Sequence, residues 1–364
     1  MIRRSITGVI LAAALAGCAY AQTTFTGDRI DGAPVISRLD VEDLRPSALH
    51  LFYMRPGDQS IGQGWYVPVM VLKGANPGPR LMIVAASHGD ELNGLRVIHR
   101  LMNEINPDTL SGVLIGAPGL NPSGMLADNR QFITSNDGGG GFNLNRVFPG
   151  DPDRDDFGTA YAGRLWRDLL RPNADLAIDL HTQTRGTVYP MYVFADATRP
   201  ASLRIAELLA PDMLKYDPGQ AGTLETAFNE AGVPAVTLEL GAPKTFNPVM
   251  IERAVRGIRN VMIDRDMIPG PIDLGGIKTY VGGRAVSVRA TRGGISEVLV
   301  QLGASVTVGQ VVARQRDPFG RVIATYTAPV TGRVVSLGDD PLRETGGLLV
   351  RILVPPDADC LKGC

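Results

Sequence analysis

The chain has four histidines, and two of them close strand-like runs. His88 ends "PRLMIVAAS" and is followed by Gly89, Asp90 and Glu91, while His181 ends "ADLAIDL". A third apolar run, "PAVTLEL", carries Glu239 next to its end. A buried strand has no use for imidazoles and carboxylates, so something beyond the strand ends uses them. Brought to one sheet edge, these termini would gather two imidazoles and two carboxylates around one point.

Two histidines and one carboxylate form a recognised donor set for catalytic zinc, which keeps one position open for water and brings that water's pKa to about 7. On this reading His88, Glu91 and His181 hold one zinc ion per chain. Glu239 is the additional carboxylate, able to take the water's proton and return it to a leaving amine. The spacing is not HExxH, where both histidines sit on one helix. Asp179 precedes His181 by two positions and shares its strand face, where it can either orient the imidazole or form a plain ion pair. His99, in the middle of a helical pattern, and His50, near the N-terminus, read as structural or surface residues. The glycine run at 138–141 lacks the Lys-Ser/Thr of a phosphate loop and reads as a flexible loop.

The elements that must position these groups alternate between two periodicities. "GWYVPVMVLKG", "SGVLIGAPG" and "YPMYVFA" add strands, while "LNGLRVIHRLMNEI", "AYAGRLWRDLLR", "ASLRIAELLA", "LETAFNEAG" and "MIERAVRGIRNVMIDRDM" have apolar residues at helical spacing. The alternation predicts an α/β domain over residues 61–272, a mostly parallel or mixed sheet sandwiched by helices. In such sheets ligands bind beyond the carboxyl ends of the strands. Residues 23–60 are weakly periodic and read as an N-terminal arm or entry hairpin. Past residue 272 the grammar changes to short β-rich pieces between Gly, Asp and Pro turns, which predicts a small all-β barrel or sandwich over 273–356, with a tail at 357–364.

Lys plus Arg number 36 and Asp plus Glu 37, so no charge excess points to nucleic acid. Residues 1–22 carry Arg3 and Arg4, a short apolar run and then small residues, the order of a bacterial export signal. "LAGC" makes Cys18 an acylation site that would anchor the protein to a membrane, and "AYA" before Gln22 offers ordinary cleavage. The expected location is therefore the bacterial envelope, as a periplasmic protein or anchored lipoprotein. The remaining cysteines, Cys360 and Cys364, read as a terminal staple or idle thiols.

The ordered set "HGDE" (88–91), "NRQF" (129–132), "NLNRVFPG" (143–150), "DLH" (179–181) and "VTLELG" (236–241) resembles the succinylglutamate desuccinylase/aspartoacylase branch of the zinc carboxypeptidase superfamily. The resemblance spans roughly residues 65–268. It implies zinc on His88, Glu91 and His181, and Glu239 as general base and acid. It further implies that Arg130 stabilises the oxyanion, and that Asn145 and Arg146 grip the substrate's free carboxylate. The family usually spells Asp-Leu where this chain has Asn143-Leu144, and commonly has a substrate-facing tyrosine, for which Tyr189 and Tyr280 are the candidates. The C-terminal pieces are similar to lipoyl-like β-domains, but "DPFG" stands where a carrier's lysine would be. That module is expected to pack near the active-site mouth.

These readings lead to an exported zinc-dependent amide hydrolase deacylating an N-acyl amino acid or similar carboxylate-bearing amide. Two alternatives stand beside it: a metallocarboxypeptidase acting on peptides, including cell-wall peptides, and a non-catalytic envelope binding or adaptor protein.

Overall fold

The computed structural model describes residues 22–135 and 139–357. The leader with Cys18, the first glycine of the 138–141 run, and Cys360 and Cys364 lie outside these residues.

The main body is an 11-stranded sheet. It begins with β1 (Thr24–Ile30), β2 (Ala33–Arg38), β3 (Ala48–Asp58), β4 (Gly64–Lys73), β5 (Asn76–Ala85) and β6 (Ser111–Ala117). A small hairpin of β7 (Phe132–Thr134) and β8 (Gly140–Phe142) stands apart from it. Next come β9 (Leu176–His181), a two-residue β10 (Thr187–Val188), β11 (Met191–Ala195), β12 (Met213–Tyr216), β13 (Ala235–Leu240) and β14 (Tyr280–Gly282). The spatial order is β1-β2-β3-β4-β6-β5-β9-β13-β11-β12-β14. At its centre β6, β5, β9 and β13 run parallel, so β5, β9 and β13 end side by side.

Helices α1 (Asn93–Glu104), α2 (Pro122–Leu126), α3 (Phe157–Leu165), α4 (Pro200–Leu208), α5 (Leu224–Glu230) and α6 (Pro248–Asp264) follow the predicted runs, except α2, which is too short to show a period. Alternate residues of β5 feed two cores. Leu81, Ile83 and Ala85 pack with α1, α4 and α6 on one face. Met82 and Val84 pack with α3 and α5 on the other. A strand buried on both faces reads as a continuous apolar run, and "RLMIVAA" is one. Helix α1 buries Val97, Ile98, Leu101 and Met102, each worth roughly 1.5–3 kcal/mol before conformational entropy is subtracted.

Of the two readings for residues 23–60 the hairpin holds, since β1 and β2 pair antiparallel, and with β3 they extend the sheet: β2 pairs in parallel with β3, and β3 runs antiparallel to β4. The period of β1 is hard to read because it is exposed on nearly every residue and its register with β2 is broken twice. The run read as one helix through Arg171 also differs. It leaves α-geometry after Leu165 for a wider π turn over Trp166–Leu170 and a tight turn ending at Asn173. Asn173 is buried there, donating to Leu39 O and Leu169 O and accepting from Val41 N. Those bonds fasten the N-terminal strands to this face.

Past Gly282 the strands are β15 (Arg284–Arg289), β16 (Gly294–Val298), β17 (Ser305–Val306), β18 (Val311–Arg316), β19 (Val322–Thr327), β20 (Gly332–Gly338), β21 (Leu342–Arg343) and β22 (Leu348–Val354). They form two small sheets over a core that includes Val312, Val334, Leu349 and Ile352. The module is joined to the main body on two sides. β14 is the last strand of the large sheet, and β10 pairs with β20. Tyr189 and Tyr192 share an apolar cluster with Val335 and Leu353.

Candidate active site

The chain leaves β5 through Ala86, whose φ of 53° is in the left-handed region that a β-carbon disfavours. This turn puts His88 past the strand end. Gly89 follows because a Cβ there would lie 2.1 Å from the backbone carbon of Gly124 in α2. Glu91 N bonds back to His88 O at 3.2 Å, so histidine and glutamate occupy one turn before α1 begins. His181 is the last residue of the adjacent β9.

The three side chains converge. His88 Nδ1 lies 3.0 Å from Glu91 Oε1, His181 Nδ1 lies 2.8 Å from Glu91 Oε2, and the two Nδ1 atoms are 3.1 Å apart. All three residues are buried, and their donor atoms fall within 4.8 Å of one another. The far nitrogens face acceptors: His88 Nε2 meets Asn143 Oδ1 at 3.0 Å, and His181 Nε2 meets Asp179 Oδ2 at 2.8 Å. Acceptors there hold the proton on Nε2 and aim both Nδ1 lone pairs at the centre. Two lone pairs and a carboxylate facing one point are satisfied by a cation, and a nitrogen–oxygen donor set of this kind fits zinc. Asn143 supplies a neutral amide oxygen to His88, which is the consequence of the Asn-Leu spelling at 143–144.

Without a metal the centre is a buried ion pair. Although burial opposes charge on both groups, His88 and His181 hold Glu91 well below the usual carboxylate range, and Asp179 and Glu91 hold His181 well above the usual imidazole range. Burial keeps His88 below its ordinary value.

Glu239 lies beside this centre. β13 pairs with β9 so that Glu239 is opposite His181 and Thr237 opposite Asp179. Val236, Leu238 and Leu240 point into one core, as do Ile178 and Leu180. Thr237, Glu239, Asp179 and His181 therefore share the other face. Burial, with the charge of Glu91 adding to it, pushes Glu239 up to about 8. Its Oε2 is buried without a hydrogen-bond partner among the described residues.

A cavity of about 380 Å³ opens over these strand ends, lined by His88, His181 and Glu239 together with Arg130, Asn145 and Arg146. Arg130 Nη1 contacts Glu91 Oε1, and the Arg130 carbonyl accepts from Gly89 N and Asn121 Nδ2 at 3.3 Å each. Asn145 is buried, its Oδ1 accepting from Leu224 N at 2.8 Å. Arg146 stays exposed, donates to Asn145 O at 2.5 Å, and forms no ion pair among the described residues. Tyr189 lines the cavity and is buried. Burial, reinforced by Glu239, pushes its hydroxyl up to about 12, so it stays a neutral donor. Tyr280 does not line the cavity; it packs under the Arg333 guanidinium, 4.8 Å from the ring centre. His50 and His99 are not among the lining residues.

Several lining residues were not singled out from the sequence. Arg351 comes from β22 and donates to the Tyr189 hydroxyl at 2.8 Å, while Gln183 donates to Ser336 Oγ at 3.2 Å. The C-terminal module thus reaches the cavity wall. Its signal was present, since "LLVRILV" carries an arginine inside an otherwise apolar strand. Glu225 and Asp217 also line the cavity. Glu225 follows the N-cap Thr223 of α5, and an acid in a helix's first turn is too ordinary to stand out.

A mixed sheet that delivers two histidines, a carboxylate and a neighbouring glutamate to one cavity defines a metal-dependent amide hydrolase. The chain belongs to the succinylglutamate desuccinylase/aspartoacylase family, whose catalytic-domain model matches residues 77–264. It is a metallo-deacylase. It is 28% identical, over 78% of its own length and 84% of the relative's, to an N-alpha-acetyl-L-2,4-diaminobutyric acid deacetylase of Halomonas elongata. Its fold is similar to the product-bound ectoine utilization protein EutE (DoeB) from Ruegeria pomeroyi, with a TM-score of 0.75 and 25% identity over 85% of this chain and 97% of that one. It is also similar to a succinylglutamate desuccinylase/aspartoacylase from Rhodobacter sphaeroides, with a TM-score of 0.76 and 22% identity over 88% and 98% of the two chains.

Proposed function

We propose that the protein is a zinc-dependent deacylase that hydrolyses the amide of a small N-acyl amino acid bearing a free carboxylate. The observation that carries this reading is the convergence of His88 Nδ1, His181 Nδ1 and Glu91 on one buried point, beside Glu239 and under a cavity with the unpaired Arg146 in its wall. The relative from Halomonas elongata, named for an N-acetylated amino acid, supports the substrate class.

Held by His88, Glu91 and His181, zinc supplies Lewis acidity for the scissile carbonyl and lowers the pKa of the attacking water. Asp179 and Asn143 keep both imidazoles in the ligating tautomer. Glu239 takes the water's proton and delivers it to the leaving nitrogen. Its raised pKa suits the acid half of that cycle, and a dication nearby draws it down toward the base form. Arg130 meets the negative charge that develops on the carbonyl oxygen. Arg146 offers a two-pronged partner to the substrate carboxylate, with Asn145 beside it.

The test is hydrolysis of a panel of N-acetyl amino acids and dipeptides by the zinc-loaded protein. Release of acetate from the N-acetyl amino acids, with dipeptides cleaved at least about tenfold less efficiently, supports the deacylase. Preferential cleavage of dipeptides would replace it with a carboxypeptidase.

A further inference from the structure

One wall of the cavity contains a carboxyl group that the deacylase chemistry does not use, and burial pushes it up to about 8. Glu225 sits in the first turn of α5, 5% exposed. Its Oε2 accepts from Thr237 Oγ1 at 2.7 Å, and its Oε1 is buried with no hydrogen-bond partner among the described residues. Apart from Arg146 and Glu239, the acidic and basic groups in or beside the cavity are already engaged. Asp217 takes Lys215 Nζ on one oxygen and Gly219 N, at 3.0 Å, on the other. Asp179 holds His181, Arg130 contacts Glu91, and Arg351 bonds Tyr189 and, at 3.1 Å, Ser287. Glu225 forms no ion pair among the described residues.

The first turn of α5 is tied to the proposed carboxylate grip by one bond. Leu224 N, one residue before Glu225, donates to Asn145 Oδ1 at 2.8 Å. Glu225, Asn145 and Arg146 line the same cavity, so a substrate whose carboxylate lies on Asn145 and Arg146 has Glu225 in the wall that faces its remaining substituents.

The geometry points to Glu225 as a specificity residue that takes an ammonium group on the amine half of the substrate, so that N-acyl amino acids with a basic side chain are preferred. This inference rests on the deacylase reading above. An ammonium gives the orphan oxygen a donor of opposite charge and holds the carboxyl ionised. An alkyl side chain leaves it unpaired. A site built around a buried polar group rejects ligands that cannot bond to it more sharply than an apolar pocket rejects a misfit.

The experiment compares wild type with Glu225→Gln and Glu225→Asp, zinc-loaded, on Nα-acetylornithine, Nα-acetylnorvaline and Nα-acetylglutamate. Zinc content is read for each protein, and calorimetry follows binding of free ornithine and free norvaline. The expected result is a wild-type kcat/KM for the ornithine derivative about tenfold or more above that for norvaline. Glu225→Gln should reduce that ratio by roughly tenfold to a hundredfold, chiefly through KM, and Glu225→Asp should restore part of it. Equal loss on all substrates, or no cationic preference in wild type, overturns the assignment while leaving the deacylase standing. A protein that hydrolyses none of the three but binds ornithine over norvaline, a preference lost in Glu225→Gln, keeps the subsite and removes the deacylase.

Discussion

Glu239 and His181 are register partners on the adjacent parallel strands β13 and β9, and their side chains leave the sheet on the same face. The spacing between the proposed proton-transfer group and a residue of the metal site is thus set by backbone hydrogen bonds in the middle of a sheet, not by a loop. Sites built on regular elements are held more precisely than sites on loops.

Glu239→Gln therefore separates chemistry from metal binding. The amide keeps the shape of the carboxylate without its basicity, so zinc content should match wild type while kcat falls by about 10² to 10⁴. Steady-state kinetics beside elemental analysis checks it. Loss of metal in this variant would place Glu239 among the ligands.

Asp179→Asn tests the support of His181 from behind. Removing the charge that faces His181 Nε2 at 2.8 Å should weaken zinc affinity by about 10- to 100-fold. Competition with a coloured chelator measures this directly. An unchanged affinity would reduce Asp179 to a plain ion-pair partner.

The two arginines should fail differently. Arg130→Ala removes the donor proposed to meet developing charge and should lower kcat by about 10² to 10³. Because Arg130 also contacts Glu91, its zinc content must be read alongside. Arg146→Ala should raise KM with kcat largely kept, the pattern of lost ground-state binding.

Zinc binding should release a proton near neutral pH. Asp179 and Glu91 hold His181 above its ordinary pKa in the metal-free protein, so the imidazole carries a proton at pH 7 that the metal must displace. His88, kept low by burial, is already neutral and releases none. Affinity should then rise with pH until it passes the raised His181 pKa, and fall as pH drops. Calorimetry in buffers of different ionisation enthalpy counts the proton.

Much of the site could be read in the sequence because its residues break strong local patterns. His88, His181 and Glu239 end apolar strands, and the parallel order that brings those ends together follows from strands alternating with helices. The first N-terminal strand was illegible because β1 has no buried face and so no period to read. Arg351 and Glu225 were missed for another reason. Their places in the cavity depend on where a separate β-module docks and how α5 meets Asn145, and neither the arginine inside "LLVRILV" nor an acid in a helix's first turn tells that by itself.

The central claim is that catalysis depends on a metal held by His88, Glu91 and His181. The most direct measurement is zinc per chain, determined with N-acetyl amino acid hydrolysis on wild type and His181→Ala. About one zinc per chain in wild type, lost in the variant together with activity, is the predicted result. Hydrolysis that persists in the metal-free variant, or a wild type that neither binds zinc nor gains turnover from it, would contradict the account.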